Sequence, residues 1–276
     1  MLASRTPPRA MTDILARIVA QKRESLAEAA KACPLPVIRR LAAQAEPPRG
    51  FLRALQTLPE VRLIAEVKRQ SPSAGLIRAN FEPLAIAKAY EQGGAACLSV
   101  LTEEPNFGGR LEYLTAIRAA VKLPLLRKDF LFDEYQLFEA RAAGADAVLL
   151  IAESLTRRQL MDLYRTATEL GMDTLIELHE PGRLDDVLAT GCPLIGVNNR
   201  DLHTFKVDLE QTIRIRRTIP SDRTIVGESG IHTAGDVARL GAAGVKAVLV
   251  GESLMRQSDV AAAARALTGQ RYAFQP

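Results

Sequence analysis

Eight short apolar runs, separated by amphipathic stretches and punctuated by glycine, organise the chain. They lie at 61–68 (VRLIAEVK), 95–101 (AACLSVL), 124–128 (PLLRK) and 145–151 (ADAVLLI). Four more follow at 173–178 (DTLIEL), 193–198 (PLIGVN), 224–228 (TIVGE) and 246–250 (KAVLV). Runs of this length predict strands, and the 34, 29, 21, 28, 20, 31 and 22 residues between their starts leave room for one helix each. The segments EQGGAACLSV, RAAGADAVLL and GAAGVKAVLV echo one another, each ending a helix on glycine shortly before a strand. Repeated βα units imply parallel strands, and eight of them predict an α/β fold closed into a (β/α)8 TIM barrel. An open doubly wound sheet is the alternative, but no GxGxxG follows the first run.

Ahead of the first run, MTDILARIVAQKRESLAEAAK sets Ile14, Ile18 and Val19 on one stripe, with Thr12 as its cap. QAEPPRG breaks that helix before FLRALQ starts a short second one. The expected organisation is a loose tail at 1–10, an N-terminal helical extension packed on the barrel at 11–60, and a single barrel domain at 61–268.

Composition adds little to this picture and removes several classes of function. The 276 residues are 47% hydrophobic and 25% charged, which suits a globular protein with a sizeable core. The net charge of +4 comes from scattered basic residues, and Trp is absent, so no nucleic-acid partner is expected. A small anionic substrate fits the charge better. Cys33, Cys97 and Cys192 lack a CxxC spacing, and His179, His203 and His232 form no metal pattern, so no metal site is expected. No apolar run approaches the length of a membrane span and the start lacks a secretory apolar stretch, which gives a cytoplasmic expectation with no membrane partner.

The polar residues at the strand ends change the picture most, because barrel chemistry sits at the C-terminal mouth. Strand 1 ends in Glu66 and Lys68, strand 3 in Lys128, strand 5 in Glu177, strand 6 in Asn198 and Arg200, and strand 7 in Glu228 and Ser229. One such residue alone is more often a solvated rim charge. Glutamates facing lysines on successive odd strands, which share interior layers, point instead to acid–base work. GESGI and VGESLM follow strands 7 and 8, the usual place for a phosphate in a barrel, and SPS after strand 1 can add a hydroxyl. Each of these also reads as an ordinary turn or cap. Asp129 reads as a cap, and His179 and His232 as local hydrogen-bonding groups without a catalytic role.

IAEVKRQSPSAG, LLRKDF, LIELHE, GVNNRDL, GESGI and VGESLM, in that order and spacing, resemble the indole-3-glycerol-phosphate synthase family from about residue 11 to 265. The resemblance implies a carboxy-lyase of tryptophan biosynthesis that needs no cofactor. Its substrate is the sugar phosphate 1-(2-carboxyphenylamino)-1-deoxyribulose 5-phosphate, and its product indole-3-glycerol phosphate.

By the same resemblance Lys128, Glu177, Glu66 and Lys68 are catalytic, with Lys128 the proton donor in ring closure, and Asn198 orients Glu66. Arg200 faces the substrate carboxylate, and Glu228 and Ser229 contact the ribulose end. Ser71, Gly230, Gly251 and Glu252 fall at phosphate positions, Glu252 through its backbone N–H because a carboxylate repels phosphate. Ser253 competes with Glu252 for that place. A monomer is the expectation and a homodimer the alternative. Phosphoribosylanthranilate isomerase is a weaker match, since strand 1 carries Glu66 and Lys68 rather than a cysteine. An orotidine-phosphate-type decarboxylase is matched only in part by RKD. A non-catalytic sugar-phosphate sensor would be expected to lack one of the charged strand ends, and none is missing.

Overall fold

The computed structural model describes residues 13–268; the predicted tail at 1–10 and the Thr12 cap lie outside the described residues. Eight parallel strands close a barrel. They are β1 (Arg62–Val67), β2 (Cys97–Leu101), β3 (Leu125–Lys128) and β4 (Ala147–Ile151), then β5 (Asp173–Leu178), β6 (Leu194–Asn198), β7 (Thr224–Glu228) and β8 (Ala247–Val250). Each pairs with its neighbours in sequence, and β8 closes on β1 through Ile64 opposite Leu249. All eight predicted strands are present.

Alternation along each strand sorts the side chains. Leu63, Ala65 and Val67 of β1 face outward into the large cluster under the helices, together with Leu98, Val100, Val148 and Leu150. Ile64, Leu126, Leu175 and Val226 face inward and join a smaller cluster inside the barrel. Two residues further along the same four odd strands stand Glu66, Lys128, Glu177 and Glu228. An apolar layer therefore floors a charged one, and the odd strands carry both.

Helices between the strands end where the glycine echo places them. Gly94, Gly144 and Gly244 adopt φ of 80°, 90° and 88°, the left-handed geometry that closes a helix at little cost without a Cβ. The capping residue after β3 is Asp133, which accepts from the Tyr135 N–H ahead of Glu134–Ala142. Asp129 thus does not cap that helix, and its carboxylate is used elsewhere.

The N-terminal extension has three helices where two are expected. They are α1 (Asp13–Ala32), α2 (Leu35–Gln44) and α3 (Phe51–Gln56). The first break falls at Pro34 rather than at the later Pro pair, and Pro34 with Pro36 opens α2. α1 crosses the mouth, where Ile14, Leu15 and Ile18 line the cavity. α3 stops the opposite end with Phe51 and Leu55, which join the interior cluster. Three bonds hold that plug to the barrel: Arg49 N–H to Asp146, Leu52 N–H to Asp173, and Gln56 to Thr224.

Candidate active site

Every site residue named from the sequence lines one cavity of about 610 Å³ at the C-terminal mouth. Glu66 on β1 and Lys68 just past its end form an ion pair at 2.6 Å. The Lys128 ammonium at the end of β3 stands 3.3 Å from Glu177 Oε2 and 3.8 Å from Glu228 Oε2. The acid and base that interrupt the first strand are therefore paired with each other. The other lysine is held by carboxylates from two strands across the barrel.

Burial sets the charges here as much as proximity does. It favours the neutral amine at Lys128, yet the carboxylates of Glu177, Glu228 and Glu66 outweigh it and hold the ammonium above its ordinary pKa. Burial likewise opposes ionisation of Glu66, but Lys68 and then Lys128 keep it below the usual carboxylate range. Glu177 and Glu228 separate. Burial opposes ionisation of Glu177 as well, but Lys128 and then a bond from His179 hold it well below its ordinary value. Burial and the Glu177 anion push Glu228 well above it. Of the two, Glu228 is therefore the one that holds its proton more readily, and its Oε1 has no other hydrogen-bond partner.

Two glycines make room for these carboxyls. A Cβ at Gly251 would overlap Glu66 Oε2, and one at Gly196 on β6 would overlap Glu228 Oε1. Gly251→Ala is expected to displace the Glu66 carboxylate and lower kcat by roughly 10- to 100-fold, as misplacement of a reacting group does. Turnover assays alongside a thermal melt check this, because a melt near wild type separates displacement from misfolding.

Asn198 departs from its expected role. Its amide donates to Glu177 Oε1 at 3.3 Å and its oxygen accepts the Arg200 N–H at 3.0 Å. It orients Glu177, not Glu66. Both residues lie on adjacent strands, with Gly196 paired to Glu177 two positions before Asn198, whereas Glu66 is held by Lys68.

Ser229 and Gly230 have successive φ of 64° and 75° after β7, and Gly251 leads into the short helix Glu252–Met255. Ser71 is buried in a small hairpin, Gln70–Ser71 with Gly75–Leu76, that the apolar pattern does not reveal. Its hydroxyl accepts from the Ala74 N–H. Ser253 donates its hydroxyl to the Ile231 carbonyl and so ties the two loops together. The Glu252 carboxylate is neutralised: Arg256 reaches it at 2.9 Å and Arg200 at 3.9 Å. Arg200 keeps its guanidinium at the mouth, one N–H donated to the Phe205 carbonyl at 3.3 Å.

Three groups escaped the sequence reading. Lys22 of α1 reaches Asp129 at 2.7 Å, and Asp129 also binds Thr102 and Arg127. Just past the apolar ends of β2 and β4, Glu103 accepts backbone N–H groups of its own loop, from Asn106 and Phe107, and Glu153 accepts those of His179 and Glu180 from the loop after β5. His179, expected to hydrogen-bond locally, does so with the Glu177 carboxylate. LIELHE does place a histidine two residues from a strand-end glutamate, on the same face, and that spacing was the available signal.

The sequence profile of the family described as Indole-3-glycerol phosphate synthase matches residues 15–267. The chain belongs to this family. The indole-3-glycerol phosphate synthase of Rhodopirellula baltica is 62% identical over 219 residues, covering 79% of this chain and 85% of that protein. That of Azospirillum brasilense is 47% identical over 260 residues, covering 93% and 99%. A solved 3-hexulose-6-phosphate synthase superposes with a TM-score of 0.60 at 17% identity, over 76% of this chain and 99% of that one, which speaks for the shared barrel alone. Synthase relatives matched over almost their whole length cover both the leading helices and the mouth. No described helix is long and apolar enough to cross a membrane.

Proposed function

We propose that the charged mouth performs the reaction named by the family with Lys128 as the proton donor for ring closure. The enzyme is a carboxy-lyase of tryptophan biosynthesis. It converts 1-(2-carboxyphenylamino)-1-deoxyribulose 5-phosphate to indole-3-glycerol phosphate, with loss of CO2 and water. The aryl carbon that bears the carboxylate attacks the ribulose ketone, and the developing alkoxide takes a proton. A buried ammonium whose charge is secured by surrounding carboxylates is a suitable donor, and this is the observation that carries the reading.

Loss of CO2 returns an electron pair to the ring system. Departure of the hydroxyl then needs an acid, and the neighbouring carbon must give up a proton to a base. Glu66 and Lys68, 2.6 Å apart, offer one group of each kind. Glu177 is ionised and turned to Lys128, so its role is to keep that lysine charged and aimed. Arg200 meets the substrate carboxylate. Ser71, the Ser229–Gly230 turn and the Gly251 loop receive the phosphate through hydroxyl and backbone N–H groups, and Glu252, spent on Arg256, does not oppose it.

The test is turnover of the synthetic carboxyphenylamino-deoxyribulose phosphate by the purified protein, followed by indole fluorescence and by release of CO2. Both signals are expected at equal rates. Binding of the substrate without either signal would make the barrel a sugar-phosphate sensor.

A further inference from the structure

His179 follows Glu177 on β5 and is 8% exposed. Its Nε2 lies 2.7 Å from Glu177 Oε1, and its Nδ1 lies 3.0 Å from the carbonyl oxygen of Arg200. Asn198 spans the same two partners, donating to Glu177 Oε1 and accepting the Arg200 N–H. The Arg200 peptide is therefore gripped on both its N–H and its C=O. Each grip leads to the same carboxylate oxygen, whose other oxygen faces Lys128.

We infer that His179 is a positioning residue for the reaction: its two ring nitrogens clamp the Glu177 carboxylate to the backbone of Arg200. The proton donor's partner and the substrate-facing arginine are thereby held as one unit. This rests on the reading above only in assigning those two residues their tasks.

The clamp has a preferred protonation state. A backbone carbonyl can only accept, so Nδ1 carries a proton; a carboxylate accepts best from a protonated Nε2. Glu177 faces the ring from β5, and Glu153 from the turn after β4, where it also accepts the His179 backbone N–H at 2.8 Å. Arg200 approaches from the β6 loop with its carbonyl, its guanidinium being directed toward Glu252. Behind Glu177 stand Lys128 on β3 and Glu228 on β7. Burial favours the neutral ring, but the Glu177 bond and charge and then Glu153 outweigh it and raise the His179 pKa. A group raised on folding stabilises fully below its unfolded value, about 6.5, and that contribution is lost as pH rises through the folded value.

Nitrogen NMR of the wild-type protein at neutral pH tests the state directly. Both His179 ring nitrogens are expected to carry protons; a neutral ring with one bare nitrogen overturns the inference. Kinetics test the task. Asn places its amide nitrogen near Nδ1 and Gln near Nε2, so His179→Asn keeps the Arg200 bond and His179→Gln the Glu177 bond. His179→Asn is expected to lower kcat by about 10- to 100-fold, with KM changed far less. His179→Gln should recover most of kcat and lose the alkaline fall that the wild type shows as the imidazolium deprotonates. Wild-type kcat and an unchanged pH profile in both variants would overturn the clamp. Variants that fail to fold leave the NMR result to decide, and an inactive wild type would count against the proposed reaction without touching that result.

Discussion

Lys128→Ala is expected to lower kcat by on the order of 10²–10⁴, the contribution of a positioned general acid, which is the task proposed for Lys128. The loss has two parts. The ketone oxygen loses its donor, and Glu177 loses the cation that does most to keep it ionised. With that cation gone, burial pushes the Glu177 carboxyl back up toward its neutral form. Lys128→Arg separates the parts. A guanidinium restores the charge but holds its proton too tightly to donate, and its planar fork does not overlay an ammonium. Arginine should therefore return the charge of the site and leave most of the rate deficit. Steady-state kinetics on both variants, with substrate binding measured separately, check this. Recovery of full activity by arginine would mean that charge alone matters.

Arg127→Met is expected to destabilise the fold by about 3–5 kcal/mol, the usual cost of breaking a buried ion pair by removing one partner. Arg127 is 1% exposed. It donates to Thr102, to the Gln136 carbonyl and to Asp129, and pairs with Glu139 at 2.7 Å. Its removal leaves the fully buried Asp129 to Lys22 and Thr102. Burial raises the Asp129 pKa, and Lys22 and Arg127 more than reverse this, so its folded value lies below the ordinary one. Such a group stabilises above its unfolded pKa, about 3.9, and that contribution is lost as pH falls through the folded value. Urea titration should show the lower stability at neutral pH, and the acid-unfolding midpoint should rise in the variant. Turnover per folded molecule should change far less than in Lys128→Ala, because Arg127 points away from the interior.

The two variants at adjacent positions show what the sequence disclosed. In LLRKDF the lysine was legible as chemistry, because alternation on an inward-facing strand puts it at the mouth. Of its neighbours, Asp129 reads as a cap and Arg127 carries no signal of its own. Their partners, Lys22 and Glu139, lie in other elements, and no local period connects residue 22 with residue 129. The eight strands could be read for the opposite reason: glycine and apolar runs are local signals. Asn198 was placed at the mouth correctly but assigned the wrong carboxylate. Which of two glutamates it meets depends on strand order around the barrel and on Lys68 having already occupied Glu66. His179 sat in plain view, and what hid its role was the Arg200 carbonyl, a backbone atom that no motif records.

The bottom plug bears on the order in which the chain acquires its shape. Arg49, Leu52 and Gln56 find their partners 97, 121 and 168 residues later. In a chain made from its N-terminus these three bonds cannot form until β4, β5 and β7 have been synthesised, although the Arg49 guanidinium and the Phe51 carbonyl meet partners sooner. Contacts so distant in sequence are also the slow ones to form. Phe51 and Leu55 thus wait as unburied apolar groups on the nascent chain. The part of the molecule made among the first is the part that seals it last.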